Sequence, residues 1–524
     1  MVLNYDSCEL QFHEVASVAK TAECRSSQLL IPMNSKIENM NQITHPSPLF
    51  RLISPCLLLA GSYLLPCLAV VDAAESERKG PPNVVFLFSD DQRPDTIHAL
   101  GNDFINTPHL DSLVARGTSF SRAICANPIC TPSRAEVMSG CDSFRNGVLD
   151  FGRRIDPELS LWAKTMQAGG YQTCYVGKWH NDGRPTERGY SQTRGLYAGG
   201  GGRWAVPTYD WNGRLVTGYR GWIFQTDDRK YFPERGIGLT PNISEDFAEA
   251  AIGFIKEKHA KPYFLHVNFP APHDPLLMPF GYEDMYDPEK IPLPKNHLPE
   301  HPFDHGNYNG RDEKLLPWPR TPEDVRNELA VYYAVISHMD AQIGRVFKAL
   351  KEAGQWENTI IIFASDHGLG MGSHGIRGKQ NMYEHTINVP LIIAGPGLPT
   401  GKRSAAQCYL RDLFPTSCDL VGLEIPKSVQ GKSLKPVLTG KREAIYSEVF
   451  GYFRNFQRMI RNDDYKLIYY PHIKRTQLFD MKNDPLELND LANNPKHVST
   501  KNELRKKLFD WQQKVNDPAL TAFK

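Results

Sequence analysis

The segment Asn127–Gly140, with the sequence NPICTPSRAEVMSG, combines a proline turn, a cysteine and an arginine at the start of a helical pattern. Ser133 can cap a helix that begins near Arg134, which predicts that Cys130 lies at a helix N-terminus. The free N–H groups and the dipole of a helix favour an anion there, and Arg134 would face the same place. The alternative is a buried structural cysteine, the usual role of a free thiol. The segment alone favours a structural cysteine, so a reactive role for Cys130 depends on motifs elsewhere in the chain.

Two apolar segments outside this helix end in acidic residues. Asn83–Ser89 and Thr359–Ser365 are almost continuously apolar, which is typical of strands buried in a parallel sheet. Asp90–Asp91 follow the first segment and Asp366–His367 follow the second. Adjacent carboxylates at a strand end are often only turn residues. Two such ends side by side in one sheet would instead bring three carboxylates together, which suits a hard divalent cation.

The remaining pattern predicts an α/β fold. Further strands are expected at 171–176, 261–269 and 389–394. The apolar spacing from 322 to 354 predicts one long amphipathic helix. From about residue 443 the chain changes to short strands, the first at 444–449, and a helix near 501–515 closes it. We therefore expect a large, mostly parallel sheet flanked by helices, followed by a smaller unit of short strands and one helix.

Residues 183–240 are rich in Gly, Arg, Trp and Tyr and show no clear hydrophobic period. This composition predicts long surface loops, and loops over a sheet usually carry recognition. Arg203, Trp204 and Trp211 are candidates for stacking on a sugar, although packing within the loops explains them equally well.

Cys130-Thr131-Pro132-Ser133-Arg134 resembles the C-x-P-S-R signature of the type I sulfatases, members of the alkaline-phosphatase-like superfamily. Five further motifs match sulfatase motifs in the same chain order: Asp90-Asp91, Gly177-Lys178-Trp179-His180, Pro272-His273-Asp274-Pro275, Ser365-Asp366-His367-Gly368 and Gly378-Lys379. The resemblance covers roughly residues 80–524. It implies a hydrolase that converts sulfate esters to an alcohol and inorganic sulfate. It also implies that the C-terminal strands form a small antiparallel sheet.

The resemblance further implies a metal site and a modified cysteine. A maturation enzyme, a partner of this chain, is expected to oxidise Cys130 to formylglycine. One oxygen of that residue would join Asp90, Asp91, Asp366 and His367 around one divalent cation. Ca²⁺ is the expected cation because carboxylates dominate the set. The imidazole of His367 is a less typical Ca²⁺ ligand and leaves Mg²⁺ and Mn²⁺ open.

Cleavage of a sulfate ester requires a nucleophile, neutralisation of the sulfuryl oxygens and a proton for the departing oxygen. By resemblance, the hydrated aldehyde at position 130 attacks sulfur. Arg134 and Lys178 are implied to hold the hydrate, and His180 to act as base on its second hydroxyl.

The same resemblance assigns the substrate side of the site. Lys178, His273 and Lys379 are implied to bind the sulfate, and His273 and Lys379 to protonate the leaving alcohol. An exported enzyme with aromatic loops suggests a saccharide sulfate, although a small-molecule sulfate ester is also expected to fit.

Three other functions share part of this pattern. A phosphonate or phosphodiester hydrolase of the same superfamily would carry nearly all of these residues. A metal phosphatase with a Ser or Thr nucleophile is disfavoured, because Cys130 occupies that position. A non-catalytic glycan-binding relative is disfavoured by the intact motifs.

Composition and the first residues restrict the partners and the location. The chain has 60 basic and 59 acidic residues, so we expect no nucleic-acid partner. Residues 52–71 form a long apolar run, and Val71-Asp72-Ala73 supplies small residues where a signal peptidase prefers them. A membrane anchor is the alternative, but the prolines and glycine inside the run favour a removed signal peptide. We expect an exported enzyme, periplasmic or extracellular, without a stable membrane anchor.

The expected organisation has three parts. Residues 1–79 form a leader that is removed. Residues 80–440 form the catalytic α/β domain, and residues 441–524 form the C-terminal subdomain.

Overall fold

The computed structural model describes residues 80–523, so the predicted leader lies outside the described residues. The strands within 80–523 are β1 Asn83–Ser89, β2 Thr118–Ile124, β3 Gln172–Lys178, β4 Gln192–Gly199, β5 Thr208–Tyr209, β6 Leu215–Val216, β7 Trp222–Phe224, β8 Tyr263–Asn268, β9 Thr359–Ser365, β10 Asn388–Ala394, β11 Lys402–Ser404, β12 Cys408–Tyr409, β13 Val449–Phe453, β14 Gln457–Arg461, β15 Tyr465–Tyr470 and β16 Arg475–Asp480. The α-helices there are α1 Pro108–Arg116, α2 Cys130–Ser139, α3 Ser143–Asn146, α4 Trp162–Ala168, α5 Ile243–Ile255, α6 Pro322–Glu352, α7 Glu384–Ile387, α8 Leu413–Val421, α9 Lys435–Leu438, α10 Val498–Lys514 and α11 Ala519–Ala522.

The main sheet has the strand order β11-β2-β10-β9-β1-β8-β3-β4-β7, and β12 pairs with β2. The five central strands from β9 to β4 run parallel, whereas β10 and β7 pair antiparallel with their neighbours. The expectation of a large, mostly parallel sheet is therefore confirmed. The expectation of loops throughout 183–240 is wrong, because β4 and β7 extend this sheet at one edge.

The apolar sequence of β1 is explained by cover on both faces of the sheet. Phe86 and Phe88 belong to a core with Trp162 of α4. Val85 and Leu87 face the opposite way and belong to a core formed with α5 and α6. Because successive side chains of a strand alternate between faces, a strand covered on both sides must be apolar at nearly every position.

The register of the central strands brings their polar ends to one edge. Ser89 of β1 pairs with Ser365 of β9, and Phe88 pairs with Asn268 at the end of β8. Gly177 near the end of β3 pairs with the same Asn268. The residues that directly follow these strands therefore emerge side by side.

The C-terminal strands form a four-stranded antiparallel sheet in the order β13-β14-β15-β16, as expected. Leu504 and Leu508 of α10 are buried against one face of it. The opposite face shares a core with Ile129 and Tyr383 of the larger unit. The expected strand at 444–449 is wrong, since the first strand begins at Val449.

Within residues 80–523 no helix is both long and apolar enough to span a bilayer.

Candidate active site

Cys130 opens helix α2. The helix begins at Cys130 rather than near Arg134, and its N-cap, Ile129, makes no side-chain hydrogen bond. The expectation that Ser133 caps the helix is therefore wrong. Its hydroxyl instead donates to the Asp366 carbonyl oxygen at 2.8 Å, which joins the first turn of α2 to the end of β9. Cys130 nevertheless lies at the helix N-terminus, where the dipole favours an anion.

The Cys130 sulfur is buried among charged side chains. It lies 3.7 Å from Asp90 Oδ1 and 3.5 Å from Lys379 Nζ. Burial alone would raise the pKa of the thiol, but the Lys178 and Lys379 ammonium groups outweigh it and hold the pKa well below its usual value. A cysteine in such an electropositive setting differs from an inert structural thiol.

Four of the five predicted metal ligands follow two neighbouring strands, β1 and β9, and the fifth, Cys130, begins α2. Asp90, Asp91, Cys130 and His367 each offer a donor atom, and these atoms all lie within 4.8 Å of one another. Asp366, the fifth predicted ligand, lies outside this set, although its Oδ2 is 3.7 Å from His367 Nε2. Its Oδ1 accepts the backbone N–H groups of Asp91 at 3.1 Å and of His367 at 2.9 Å.

These residues fit a divalent cation. The His367 ring is buried, Nδ1 lies 3.0 Å from Asp91 Oδ1, an ion-pair distance, and Nε2 makes no hydrogen bond with residues 80–523. An imidazole with one nitrogen directed to a carboxylate and the other nitrogen free fits a ligand of a divalent cation. Burial and the Asp90 carboxylate raise the pKa of Asp366 to about 7, although His367 and Arg134 oppose the shift. A bound cation would compensate this buried negative charge.

Asp91 adopts a left-handed backbone conformation, with φ of 70°. Such a conformation is uncommon outside glycine and is maintained only where the surroundings impose it. Here the Asp91 N–H is held by Asp366, and its carbonyl oxygen accepts the Tyr332 hydroxyl at 2.6 Å. The clamp directs the Asp91 side chain into the site.

Two positively charged side chains link the acidic strand ends. Lys178, the last residue of β3, forms an ion pair with Asp90. Arg134 donates from Nε to Asp366 Oδ2 at 3.2 Å and from Nη1 to Asn268 Oδ1 at 2.7 Å. Asn268 ends β8 and carried no sequence signal beyond its place at a strand end.

His180 lies beside Cys130 with its ring against the Phe151 and Trp222 rings. Its pKa is lowered to about 4, because burial outweighs the contact with the Cys130 sulfur. Its buried Nδ1 makes no hydrogen bond with residues 80–523. A neutral imidazole in this position can accept a proton.

His273 and Lys379 are in direct contact. His273 Nδ1 lies 2.7 Å from the Asp274 carbonyl oxygen, so Nδ1 carries the hydrogen, and Nε2 lies 2.8 Å from Lys379 Nζ. Lys379 Nζ also lies 2.9 Å from both Asp91 oxygens. Burial alone would lower the pKa of His273, but the Asp91 carboxylate outweighs it and raises the pKa.

A cavity of about 350 Å³ opens over these groups. Five of the predicted catalytic residues line it: Cys130, Lys178, His180, His273 and Lys379. Arg134 lies beneath, in contact with the acidic residues. Arg203, Trp204 and Trp211, the predicted sugar-stacking candidates, do not line it.

Sequence reasoning missed several residues of the cavity wall: Phe151, Tyr219, Trp222, Asn307, Arg311 and Arg454. Tyr219 donates its hydroxyl to Asp90 Oδ2 at 2.5 Å. Tyr219 and Trp222 belong to 183–240, where composition indicated recognition without identifying which aromatics take part. Arg454 lies in the turn between β13 and β14, and no motif marked it.

Two protein-family models, both of sulfate-cleaving proteins by their descriptions, match this chain. The Sulfatase family model matches residues 82–423, and the model described as N-sulphoglucosamine sulphohydrolase, C-terminal, matches residues 372–514. An arylsulfatase of Clostridium perfringens is 31% identical over 463 residues, which cover 82% of this chain and 94% of that protein. An N-acetylglucosamine-6-O-sulfatase of Bacteroides thetaiotaomicron is 26% identical, with 87% of this chain and 92% of that protein covered.

A solved structure shares the fold at low sequence identity. The phosphonate monoester hydrolase of Silicibacter pomeroyi superposes with a TM-score of 0.69 at 23% identity, covering 84% of this chain and 97% of that chain. At this identity the likeness shows the fold alone.

Proposed function

The chain belongs to the sulfatase family, and from this premise we propose that it hydrolyses sulfate esters of carbohydrates with residue 130 as its nucleophile. Membership makes it a sulfuric ester hydrolase. A sugar substrate is supported by the N-acetylglucosamine-6-O-sulfatase relative and by a cavity of about 350 Å³ with aromatic walls. The observation that carries the proposal is Cys130 at a helix N-terminus, 3.5 Å from Lys379 Nζ.

We propose that Cys130 is converted to formylglycine by a maturation enzyme. The modified residue would supply a hydrated aldehyde, of which one hydroxyl attacks sulfur and the other later expels sulfate. Asp90, Asp91, Asp366 and His367 would hold a divalent cation, with Ca²⁺ expected and Mg²⁺ or Mn²⁺ as alternatives. Such a cation lowers the pKa of a bound hydroxyl and neutralises the sulfuryl oxygens.

The side chains around residue 130 have separate tasks. Lys178 and Arg134 add positive charge beside the nucleophile, and their contacts with Asp90 and Asp366 hold them in place. His180, neutral at pH 7 because its pKa is about 4, takes the proton from the second hydroxyl.

On the substrate side, the ammonium groups of Lys178 and Lys379 would bind sulfate oxygens. His273 and Lys379 lie 2.8 Å apart and form the candidate proton donor to the departing alcohol. Because the Asp274 carbonyl oxygen accepts the Nδ1 hydrogen, His273 would donate from Nε2 as the imidazolium, the form that its raised pKa favours.

Replacing His273 with Ala is expected to lower kcat/KM most for a substrate with a poor leaving group. A sugar alcohol needs protonation as it departs, whereas the phenolate of an activated aryl sulfate does not. General acid catalysis typically contributes about a hundred- to ten-thousand-fold, which sets the scale of the extra loss for the sugar sulfate. The measurement is kcat/KM of His273→Ala with one sugar sulfate and one aryl sulfate. Equal losses would remove His273 from this role.

The competing function is hydrolysis of phosphonate monoesters or phosphodiesters, and the fold shared with a phosphonate monoester hydrolase is the observation in its favour. Defined sulfated saccharides, an aryl sulfate and an aryl phosphodiester should be tested with the same preparation. Turnover of a saccharide sulfate supports the proposal. Turnover of the phosphodiester but of no sulfate ester would contradict it.

We also propose that the enzyme is exported and that residues 80–440 and 441–524 form its catalytic and C-terminal parts. Export is supported by the apolar run 52–71 and the small residues after it. The division is supported by the second sheet, whose strands all follow residue 440. N-terminal sequencing of the protein from its native host should find a mature terminus near Ala74. A retained apolar segment in the membrane fraction would favour an anchor.

A further inference from the structure

The turn between β13 and β14, residues Phe453–Gln457, contributes Arg454 to the wall of the catalytic cavity. We refer to it as the C-terminal hairpin. Gln457 is fully buried, and its Nε2 donates to the carbonyl oxygens of Gln380 at 3.0 Å and of His305 at 2.8 Å. Gln380 directly follows the active-site Lys379. One side chain of the C-terminal subdomain therefore ties together two segments of the cavity wall.

A buried ion pair that the proposed reaction does not use fixes this hairpin. Arg458 and Asp517 are both buried and form two hydrogen bonds of 2.5 Å. Arg458 Nη1 also donates to the carbonyl oxygen of Arg454 at 2.5 Å. Arg454 has a φ of 41°, a conformation that a non-glycine residue keeps only when its surroundings impose it. The buried pair thus holds Arg454 in a defined place on the cavity wall.

Only one edge of the Arg454 guanidinium has a partner among the described residues. Its Nε and Nη2 contact Asp150 at 2.8 and 3.2 Å, which occupies one edge of the group. The Arg454 side chain is 39% exposed, and its Nη1 makes no hydrogen bond with residues 80–523, so Nη1 is open to solvent and to a ligand. The edge formed by Nη1 and Nη2 has the fork geometry that binds two oxygens of a carboxylate or a sulfate.

The second arginine of the wall differs. Arg311 already directs Nη1 and Nη2 to Asp274 at 2.8 and 2.7 Å and also contacts Asp312. Both Nη atoms of Arg311 therefore already have carboxylate partners. Arg454, whose Nη1 has none, is the better placed of the two arginines to bind a ligand.

Asn307 supplies an independent polar group on the same wall. Its Nδ2 is buried and makes no hydrogen bond with residues 80–523. Because it lines an open cavity, this amide can donate to a water or to a ligand that displaces the water.

We propose that Arg454 and Asn307 bind a second anionic group of the substrate, a carboxylate or a further sulfate. The inference rests on the proposed function and names its substrate class, a saccharide with one negative group besides the sulfate that is cleaved. Both residues line the cavity of about 350 Å³ that contains Cys130, so the two anionic groups lie on the same or adjoining sugar units.

The test compares three pyranosides: a monosulfate that the wild type hydrolyses, the same monosulfate with a carboxylate added away from the cleaved sulfate, and the same sugar with a second sulfate. The carboxylate is introduced by oxidation of C6, or as a carboxymethyl ether on a ring oxygen where the cleaved sulfate occupies O6. We expect the wild type to prefer one doubly charged substrate, mainly through KM, and the preferred one identifies the group. In Arg454→Met the ratio of kcat/KM between that substrate and the monosulfate should fall about 10- to 100-fold, the value of a charged hydrogen-bond pair.

The matched control is Arg153→Met. Arg153 is exposed on the loop that carries Asp150 and does not line the cavity, so the ratio should stay at the wild-type value. Asn307→Ala should lower the ratio as well, and it decides the matter if Arg454→Met fails to fold. A wild type without preference, or a preference that survives both Arg454→Met and Asn307→Ala, would overturn the inference while leaving sulfatase activity intact. A wild type that hydrolyses no sulfate ester would overturn the proposed function instead.

Discussion

Cys130→Ala should lose hydrolysis of sugar sulfates and aryl sulfates alike, by a factor on the order of 10⁴ or more, because a missing nucleophile cannot be replaced by a better leaving group. Cys130→Ser should also be impaired, because the maturation enzyme is expected to act on cysteine. In the wild type, mass spectrometry of the peptide that contains residue 130 should detect formylglycine. Across preparations, activity should rise in proportion to the modified fraction.

Cys418→Ala is the matched control. Cys418 is also buried, but it lies in α8, and burial raises the pKa of its thiol to about 12. Its removal should cost some stability and leave kcat/KM near the wild-type value. Full activity of a preparation whose residue 130 is entirely an unmodified thiol would contradict the mechanism.

The central strands and their polar ends were predictable because a strand buried on both faces is apolar at nearly every position, and the polar residues mark where it ends. Asn83–Ser89 and Thr359–Ser365 form strands with the predicted limits. Their register then follows from parallel pairing, which brings Asp90 and Asp366 to one edge. Here local composition and tertiary structure agree.

Other features depended on tertiary contacts that no local pattern encodes. Ser133 has the composition of a helix cap, but its hydroxyl bonds to Asp366, far away in sequence. Strands β4 and β7 lie in a glycine-rich segment whose period is irregular. Arg454 reaches the cavity because Gln457 attaches its hairpin to Gln380 of the larger unit, and because Arg458 holds the Arg454 carbonyl within the hairpin. Sequence alone therefore indicated the cluster around Cys130 better than the rest of the cavity wall.

Asp91→Ala and Asp366→Asn should abolish or nearly abolish turnover, and chelation of the wild type should do the same. A catalytic cation stabilises the transition state by several kcal/mol, so the expected loss is on the order of 10³-fold or more. Of the two variants, Asp366→Asn tests the role of the carboxylate charge more specifically. Its amide oxygen can still accept the backbone N–H groups of Asp91 and His367, so the change removes charge while keeping those contacts.

Metal content and thermal stability separate this explanation from simple misfolding. A cation that binds only the folded protein raises its melting temperature, so added Ca²⁺, Mg²⁺ or Mn²⁺ should stabilise the wild type and restore the chelated enzyme. The concentrations at which the cations restore activity rank their affinities, and elemental analysis of protein from the native host identifies the native cation. Asp340→Asn is the control, because Asp340 is a buried carboxylate that accepts the backbone N–H groups at the start of α1. It should lower stability without changing metal content. If Asp366→Asn keeps the wild-type metal content and rate, Asp366 is not a ligand, and its task is to position Arg134 and the backbone around Asp91.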